Sequence, residues 1–221
     1  MIVVAHPDDE VLGMGGTLVK HSSQGDMIKV IYLATGVTSR YQENQSKEKS
    51  DKEIKKLRDN AKQSCKILGI KDHIFYDFPD NEMDTVSLLK ITKIVEHEIN
   101  SFNPDRIYTS HFGDLNIDHR LVFQACITAC RPTSSKTPEL ITFEILSSSE
   151  WNYPVSFQPN YFVDVSSFIE QKCQAMKCFK NEIRKFPHPR SIENIKSSSK
   201  KWGTVCGKKA AEAFQIIRII E

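Results

Sequence analysis

Five short apolar runs, at residues 2–5, 28–34, 74–76, 106–109 and 141–146, alternate with segments of helical periodicity. Short β-branched runs bounded by Gly, Pro, Asn or Asp read as strands. Between them, Ile54, Leu57, Ala61, Cys65 and Leu68 recur at helical spacing, as do Leu88, Ile91, Ile94, Val95 and Ile99. Such spacing lines one face of a helix. Residues 117–130 read as another helix, stopped before Pro132. Strands that alternate with helices build a parallel sheet covered on both faces, so the expected class is α/β.

The pattern is less legible elsewhere. Gly13, Gly15 and Gly16 are read as a loop after the first strand, leading to a helix that starts near Thr17 and ends near Gly25. The charge-crowded residues 38–53 are expected to begin as a loop and run into a helix. Beyond residue 150 we expect a strand at 161–165 and a helix at 168–180, with a polar, mobile segment at 191–201. Neither an internal repeat nor a clear linker interrupts the 221 residues, which are read as one domain, 1–221.

Composition removes several classes of function. A formal net charge of +2 argues against a dedicated nucleic-acid binder. No stretch approaches the roughly 20 apolar residues that span a bilayer. Met1 leads straight into apolar residues without a basic region or cleavage site, so a cytoplasmic location is expected. The six cysteines are then read as reduced thiols. Cys126/Cys130 and Cys173/Cys178 are spaced as helix-packing positions and not as Cys-x-x-Cys metal ligands.

The most informative run is His6-Pro7-Asp8-Asp9-Glu10, which crowds ionisable groups at the end of the first strand. Three adjacent acids repel, and a cation relieves that cost. A second cluster, with His111, Asp114, Asn116, Asp118 and His119, follows the fourth strand. Ligands of parallel sheets sit beyond the carboxyl ends of the strands, so both clusters are expected on one rim. Imidazole and carboxylate together suit zinc with an open coordination position. The blander reading is that the acids begin a helix, where negative charge is favoured.

Ala5-His6-Pro7-Asp8-Asp9-Glu10, then Leu12-Gly13-x-Gly15-Gly16, then Asp118-His119-Arg120 resemble the motifs of the PIG-L/LmbE-like zinc-dependent N-deacetylases. Weaker similarity continues through Phe78-Pro79-Asp80, residues 147–151 and Ala211-Glu212-Ala213-Phe214. The resemblance implies a Rossmann-like three-layer α/β sandwich with a mainly parallel sheet. It implies that His6, Asp9 and His119 hold Zn2+, or Fe2+ as in some members, and that Asp8 is the general base. The implied substrate is a small N-acetylated amino sugar of N-acetylglucosamine type, free or in a glycoconjugate or surface polysaccharide. Self-association is left open.

One position departs from the family pattern: Asn116 stands where many members carry a histidine that assists the tetrahedral intermediate. Asn116 can donate to an oxyanion but cannot shuttle a proton. The proton then returns from Asp8 or comes from His111. Asp118 is read either as orienting a ligand or as a helix-start acid. Arg40, Arg190 and Glu144 are candidate substrate contacts, arginine suiting phosphate or carboxylate. Trp151 is read first as a core residue and second as a platform for a sugar. Two rivals remain: a nucleotide-binding module using the glycines as a phosphate loop, and a metal-binding family member without catalysis.

Overall fold

The computed structural model describes residues 1–37, 39, 47–132 and 138–220. Among these, seven strands form one sheet in the order β3-β2-β1-β4-β5-β7-β6. The strands are β1 (Ile2–Val4), β2 (Lys29–Ala34), β3 (Asp72–Phe78), β4 (Arg106–Ser110), β5 (Glu139–Phe143), β6 (Tyr161–Asp164) and β7 (Ala211–Arg218). The helices are α1 (Asp9–Ser23), α2 (Lys47–Leu68), α3 (Leu88–Phe102), α4 (Ile117–Ala129), α5 (Ile169–Met176) and α6 (Ile192–Cys206). Strands β3, β2, β1, β4 and β5 pair in parallel, and β7 and β6 extend the sheet antiparallel. This is the expected mainly parallel sheet.

Two apolar layers sandwich it. One joins the sheet to Val11 and Leu18 of α1, Leu57 and Cys65 of α2, Cys173 of α5 and Ile195 of α6. The other joins it to Ile91 and Val95 of α3 and to Val122 and Cys126 of α4. Because β1 is covered on both faces, its three residues are continuously apolar, as buried parallel strands are. The α2 stripe ends at Gly69, whose φ of +77° favours glycine. Helix α3 starts where Ser87 accepts from the Lys90 N–H and ends at Asn103 in a left-handed conformation.

The chain moves from β1 to β2 and β3 on one side, then returns to place β4 and β5 on the other. The direction of winding reverses between β1 and β4, and a crevice opens at such a point beyond the strands' carboxyl ends. His6 and the loop after β4 lie there.

Three expectations are corrected. The glycines do not form a loop: α1 begins at Asp9 and contains all of them. An added Cβ at Gly13 would lie 2.0 Å from Phe143 Cδ2, so the glycine permits close packing of α1 on β5. The phosphate-loop reading fails with it, since the Gly16 N–H already donates to Glu212. The supposedly mobile 191–201 belongs to α6, capped by Ser191 accepting from Asn194. Its buried positions, Ile195, Ser199 and Gly203, recur at helical spacing but are mostly small or polar, so hydrophobicity did not mark them. The last expected helix is shorter, ending at Met176.

Gly13→Ala is expected to destabilise the fold by about 1–3 kcal/mol through overpacking. A thermal melt unchanged from wild type would contradict the tight α1–β5 contact.

Candidate functional site

His6 leaves β1, and its backbone N–H donates to Asp9 Oδ2 at 2.8 Å, tying the strand end to the first turn of α1. His119 sits in the first turn of α4, where Asn116 Oδ1 accepts from the Asp118 N–H at 2.8 Å as an N-cap. These two starts bring His6 Nδ1 and His119 Nε2 to 3.2 Å. Asp9 Oδ2 lies 3.6 Å from the first and 3.3 Å from the second. One ion can be reached by all three atoms.

The outer ring nitrogens are held by carboxylates. His6 Nε2 lies 3.0 Å from Asp118 Oδ2 and 3.1 Å from Asp80 Oδ1, and His119 Nδ1 lies 2.9 Å from Asp114 Oδ1. A carboxylate there draws the ring proton outward and leaves the inner nitrogen as a lone-pair donor. Two such lone pairs at this separation, beside an acid, repel unless a cation lies among them. Asp9 Oδ1 is buried and has no hydrogen-bond partner among the described residues. Two imidazoles and one carboxylate therefore fit zinc or ferrous iron with an open position.

A second set, His6 with Asp80 and Asp118, is also close enough for an ion. Its carboxylates are already engaged, however. Asp118 accepts from the Asn81 and Met83 N–H groups, and Asp80 from Ser39 and Asn81. They are better placed to orient His6.

The imidazoles and carboxylates of the site shift one another's protonation. Burial works against a charged His119, but Asp9 and Asp114 outweigh it and raise its pKa to about 9. His6 is likewise raised well above the ordinary value, since Asp118, Asp80 and Asp9 together overcome burial. Burial works against an ionised Asp9 too, yet the facing imidazoles hold its carboxyl far below the usual range.

Asp8 immediately precedes α1 with a φ of +118°, a strained conformation for a residue with a side chain. Its Oδ2 accepts from Arg190 Nη1 at 3.1 Å, and its N–H donates to Glu10 Oε2 at 3.1 Å. Burial pushes the Asp8 pKa up to about 7, against the pull of Arg190. A carboxyl in that range can take and return a proton at neutral pH.

Other expected site residues are placed unevenly. Asp118 does orient an imidazole, but that of His6 and not of its neighbour His119. Asp114, which orients His119, carries no sequence signal for that role; it lies five positions before that histidine. Its oxygens also accept from Ser148 and Ser149, which explains part of the serine run after β5. Asn116 spends Oδ1 on the cap and one Nδ2 hydrogen on Asn81 Oδ1 at 2.7 Å.

The ring of His111 is packed against Phe112 and Phe157, and its Nδ1 accepts from the Gly113 N–H, so it is turned into aromatic packing. Glu144 accepts from Trp202 Nε1 at 2.6 Å, which directs it toward α6. Arg190 binds Asp8, Glu182 and Ser147, and so contacts the expected base where a substrate contact had been expected. Arg40 lies outside the described residues. Arg120 donates to the carbonyls of Asp114 and Leu115, holding the loop before α4. Trp151 is 47% exposed and meets His188 edge-on, contrary to a core position. Cys126 of α4 and Cys173 of α5 are buried helix-packing residues, Cys130 is buried at the end of α4, and Cys178, half-buried, lies beyond the end of α5.

Asp114→Ala is expected to weaken zinc affinity or activity about 10–100-fold, as loss of a carboxylate behind a ligating imidazole does. Zinc titration of a folded variant with wild-type affinity and turnover would refute that role.

The family model for PIG-L, described as GlcNAc-PI de-N-acetylase, matches residues 1–130, more than half of the chain. The chain belongs to the PIG-L family. Among PIG-L relatives, the uncharacterized deacetylase YaiS of Escherichia coli K12 is 29% identical over 82% of this chain and 90% of its own. Diacetylchitobiose deacetylase of Thermococcus kodakarensis is 25% identical, with 98% of this chain and 82% of the relative covered. The N,N'-diacetylchitobiose deacetylase structure from Pyrococcus horikoshii superimposes with a TM-score of 0.79 at 19% identity, covering 98% of this chain and 82% of that one. At that identity the superposition establishes the shared fold, and the reaction must be argued from the site. No described helix of this PIG-L member is long and apolar enough to cross a membrane.

Proposed function

We propose that this chain is a metal-dependent hydrolase that removes the acetyl group from an N-acetylated amino sugar of N-acetylglucosamine type. The observation that carries the reading is the meeting of His6, Asp9 and His119 beside a buried Asp8 whose pKa is raised to about 7. Family membership supports the reaction class, and the diacetylchitobiose deacetylase relative supports a sugar substrate. The proposed enzyme is a single cytoplasmic domain that takes a small N-acetylated sugar or a glycoconjugate as substrate.

His6, Asp9 and His119 would hold zinc, or ferrous iron. Such a cation supplies Lewis acidity, which lowers the pKa of water towards about 7 and polarises a carbonyl. Asp8 takes a proton from the water as its oxygen bonds to the acetamide carbon. The second Nδ2 hydrogen of Asn116 is the side-chain donor that the cap leaves for the developing oxyanion. Asp8 then returns its proton to the nitrogen as the carbon–nitrogen bond breaks, releasing acetate and a free amine. Because Asn116 cannot shuttle a proton, Asp8 serves as both base and acid, and Arg190 holds its carboxylate in place.

The test is amine release from a panel of N-acetylated sugars, comparing zinc-loaded with chelated protein. Release that requires the cation is the expected result. Zinc binding without release across the panel would favour a family member that has lost catalysis.

A further inference from the structure

Helix α1 is broken at Met14, where the backbone adopts φ −143° and ψ 23°. In an unbroken helix the Gly16 N–H would meet the Leu12 carbonyl four residues earlier. Here each group has a charged side chain as partner. Glu212 of β7 accepts from the Gly16 N–H at 2.9 Å and the Thr17 N–H at 2.6 Å. Lys172 of α5 donates to the Leu12 carbonyl at 2.9 Å and to Glu212 at 2.6 Å. Both residues are only 3% exposed. A buried ion pair has thus been spliced into the backbone ladder, and side chains inserted in this way cause sharp helix kinks.

We propose that Lys172 and Glu212 are positioning residues for the site, setting the direction of the half of α1 that carries Asp9. The inference rests on the function proposed above.

The two halves of α1 are separately seated. The site-side half is tied to β1 by the His6 N–H bond to Asp9, and Gly13 rests so closely on Phe143 that no Cβ fits. On the far half, a Cβ on Gly16 would come 2.8 Å from Val165. One half is held against Phe143 of β5 and the other against Val165 just beyond β6, and the break between them lets both contacts form. Lys172 and Glu212 satisfy the backbone groups that the break would otherwise strand, a cost that buried polar groups cannot evade. The reading also accounts for two sequence features without a part in the chemistry: the glycines of α1 and the run Ala211-Glu212-Ala213-Phe214.

A buried ion pair can equally be a purely structural feature, so the test must separate positioning from stability. Glu212→Gln and Lys172→Met are compared with Val95→Ala, a cavity variant on the other face of the sheet. Zinc affinity is read by competition with a chromogenic chelator, fold by circular dichroism and melting, and turnover per bound zinc as kcat and KM. Positioning predicts at least tenfold weaker zinc binding and at least tenfold lower kcat in Glu212→Gln, with KM little changed. Glu212→Asp should recover part of both, and Val95→Ala should lower only the melting temperature. Glu212→Gln that melts earlier yet keeps wild-type zinc affinity and kcat would overturn the proposal. If Glu212→Gln does not fold, Lys172→Met carries the same comparison, and failure of both to fold would assign the pair to stability and overturn it too. Wild-type protein that binds no zinc would instead sink the proposed function, which keeps the two failures apart.

Discussion

Asp8→Ala is expected to lower turnover by about 10²–10⁴-fold, the range that general acid–base catalysis contributes, while zinc stays bound. The expectation follows from the division of roles within one turn. Asp9 points at the two imidazoles, whereas Asp8, turned by its positive φ, points at Arg190. Removing Asp8 leaves the proposed ligand set intact. Single-turnover assays at matched zinc occupancy provide the measurement. A variant that loses zinc but keeps wild-type turnover per bound ion would show that Asp8 serves the metal and not the proton transfer.

Zinc is expected to raise the melting temperature much more at pH 8.5 than at pH 5.5. The sign follows from the buried groups. His119, raised to about 9, contributes stability that is complete below its ordinary value of 6.5 and is lost as pH rises through about 9. Burial lifts the carboxyls of Asp8 and Glu10 to about 7 and about 8, so the folded chain keeps protons there that the unfolded chain releases. All three make the metal-free fold weaker as pH rises across this window. Asp9 is shifted the other way, and its contribution is lost only at more acidic pH. Zinc must displace the protons on the imidazoles, so its affinity grows with pH. At a free concentration of 100 times Kd it adds about 2.7 kcal/mol, equivalent to about 5–10 °C for a chain of this size. A zinc-induced shift that is equal at the two pH values, or larger at the acidic one, would contradict the proposed ligands.

Most elements of the parallel half of the sheet were legible in the sequence. Strands buried on both faces must be continuously apolar, and α2 and α3 carry long stripes that only a helix can align. The antiparallel half was less legible. Strand β7 offers the small Ala211 and Ala213 with Phe214 to the core and interrupts them with Glu212 and Gln215, and α6 buries Ser199 and Gly203. Small and polar residues leave a weak hydrophobic signal even when tertiary packing buries them. The glycines of α1 misled for a related reason. Glycine usually breaks a helix, and only the closeness of Phe143 and Val165 explains its use inside one.

The candidate site divides in the same way. The donor chemistry of His6, Asp9 and His119 could be read from residue types and from motif resemblance. Which carboxylate stands behind which imidazole could not. Asp118 neighbours His119 in the chain yet serves His6, because the Asn81 and Met83 N–H groups hold its carboxylate on the side where His6 lies. Arg190 lies 182 residues from Asp8, and nothing local marks the two as partners.

The order of residues alone determined the alternation of strands and helices and the kinds of atoms available to bind a cation, since periodicity and side-chain chemistry are local properties. Only the tertiary structure decided that His6 and His119, 113 residues apart, stand 3.2 Å from one another. That distance depends on β4 lying beside β1 at the point where the winding reverses. Strand order is settled by packing of the whole sheet, which no single segment contains.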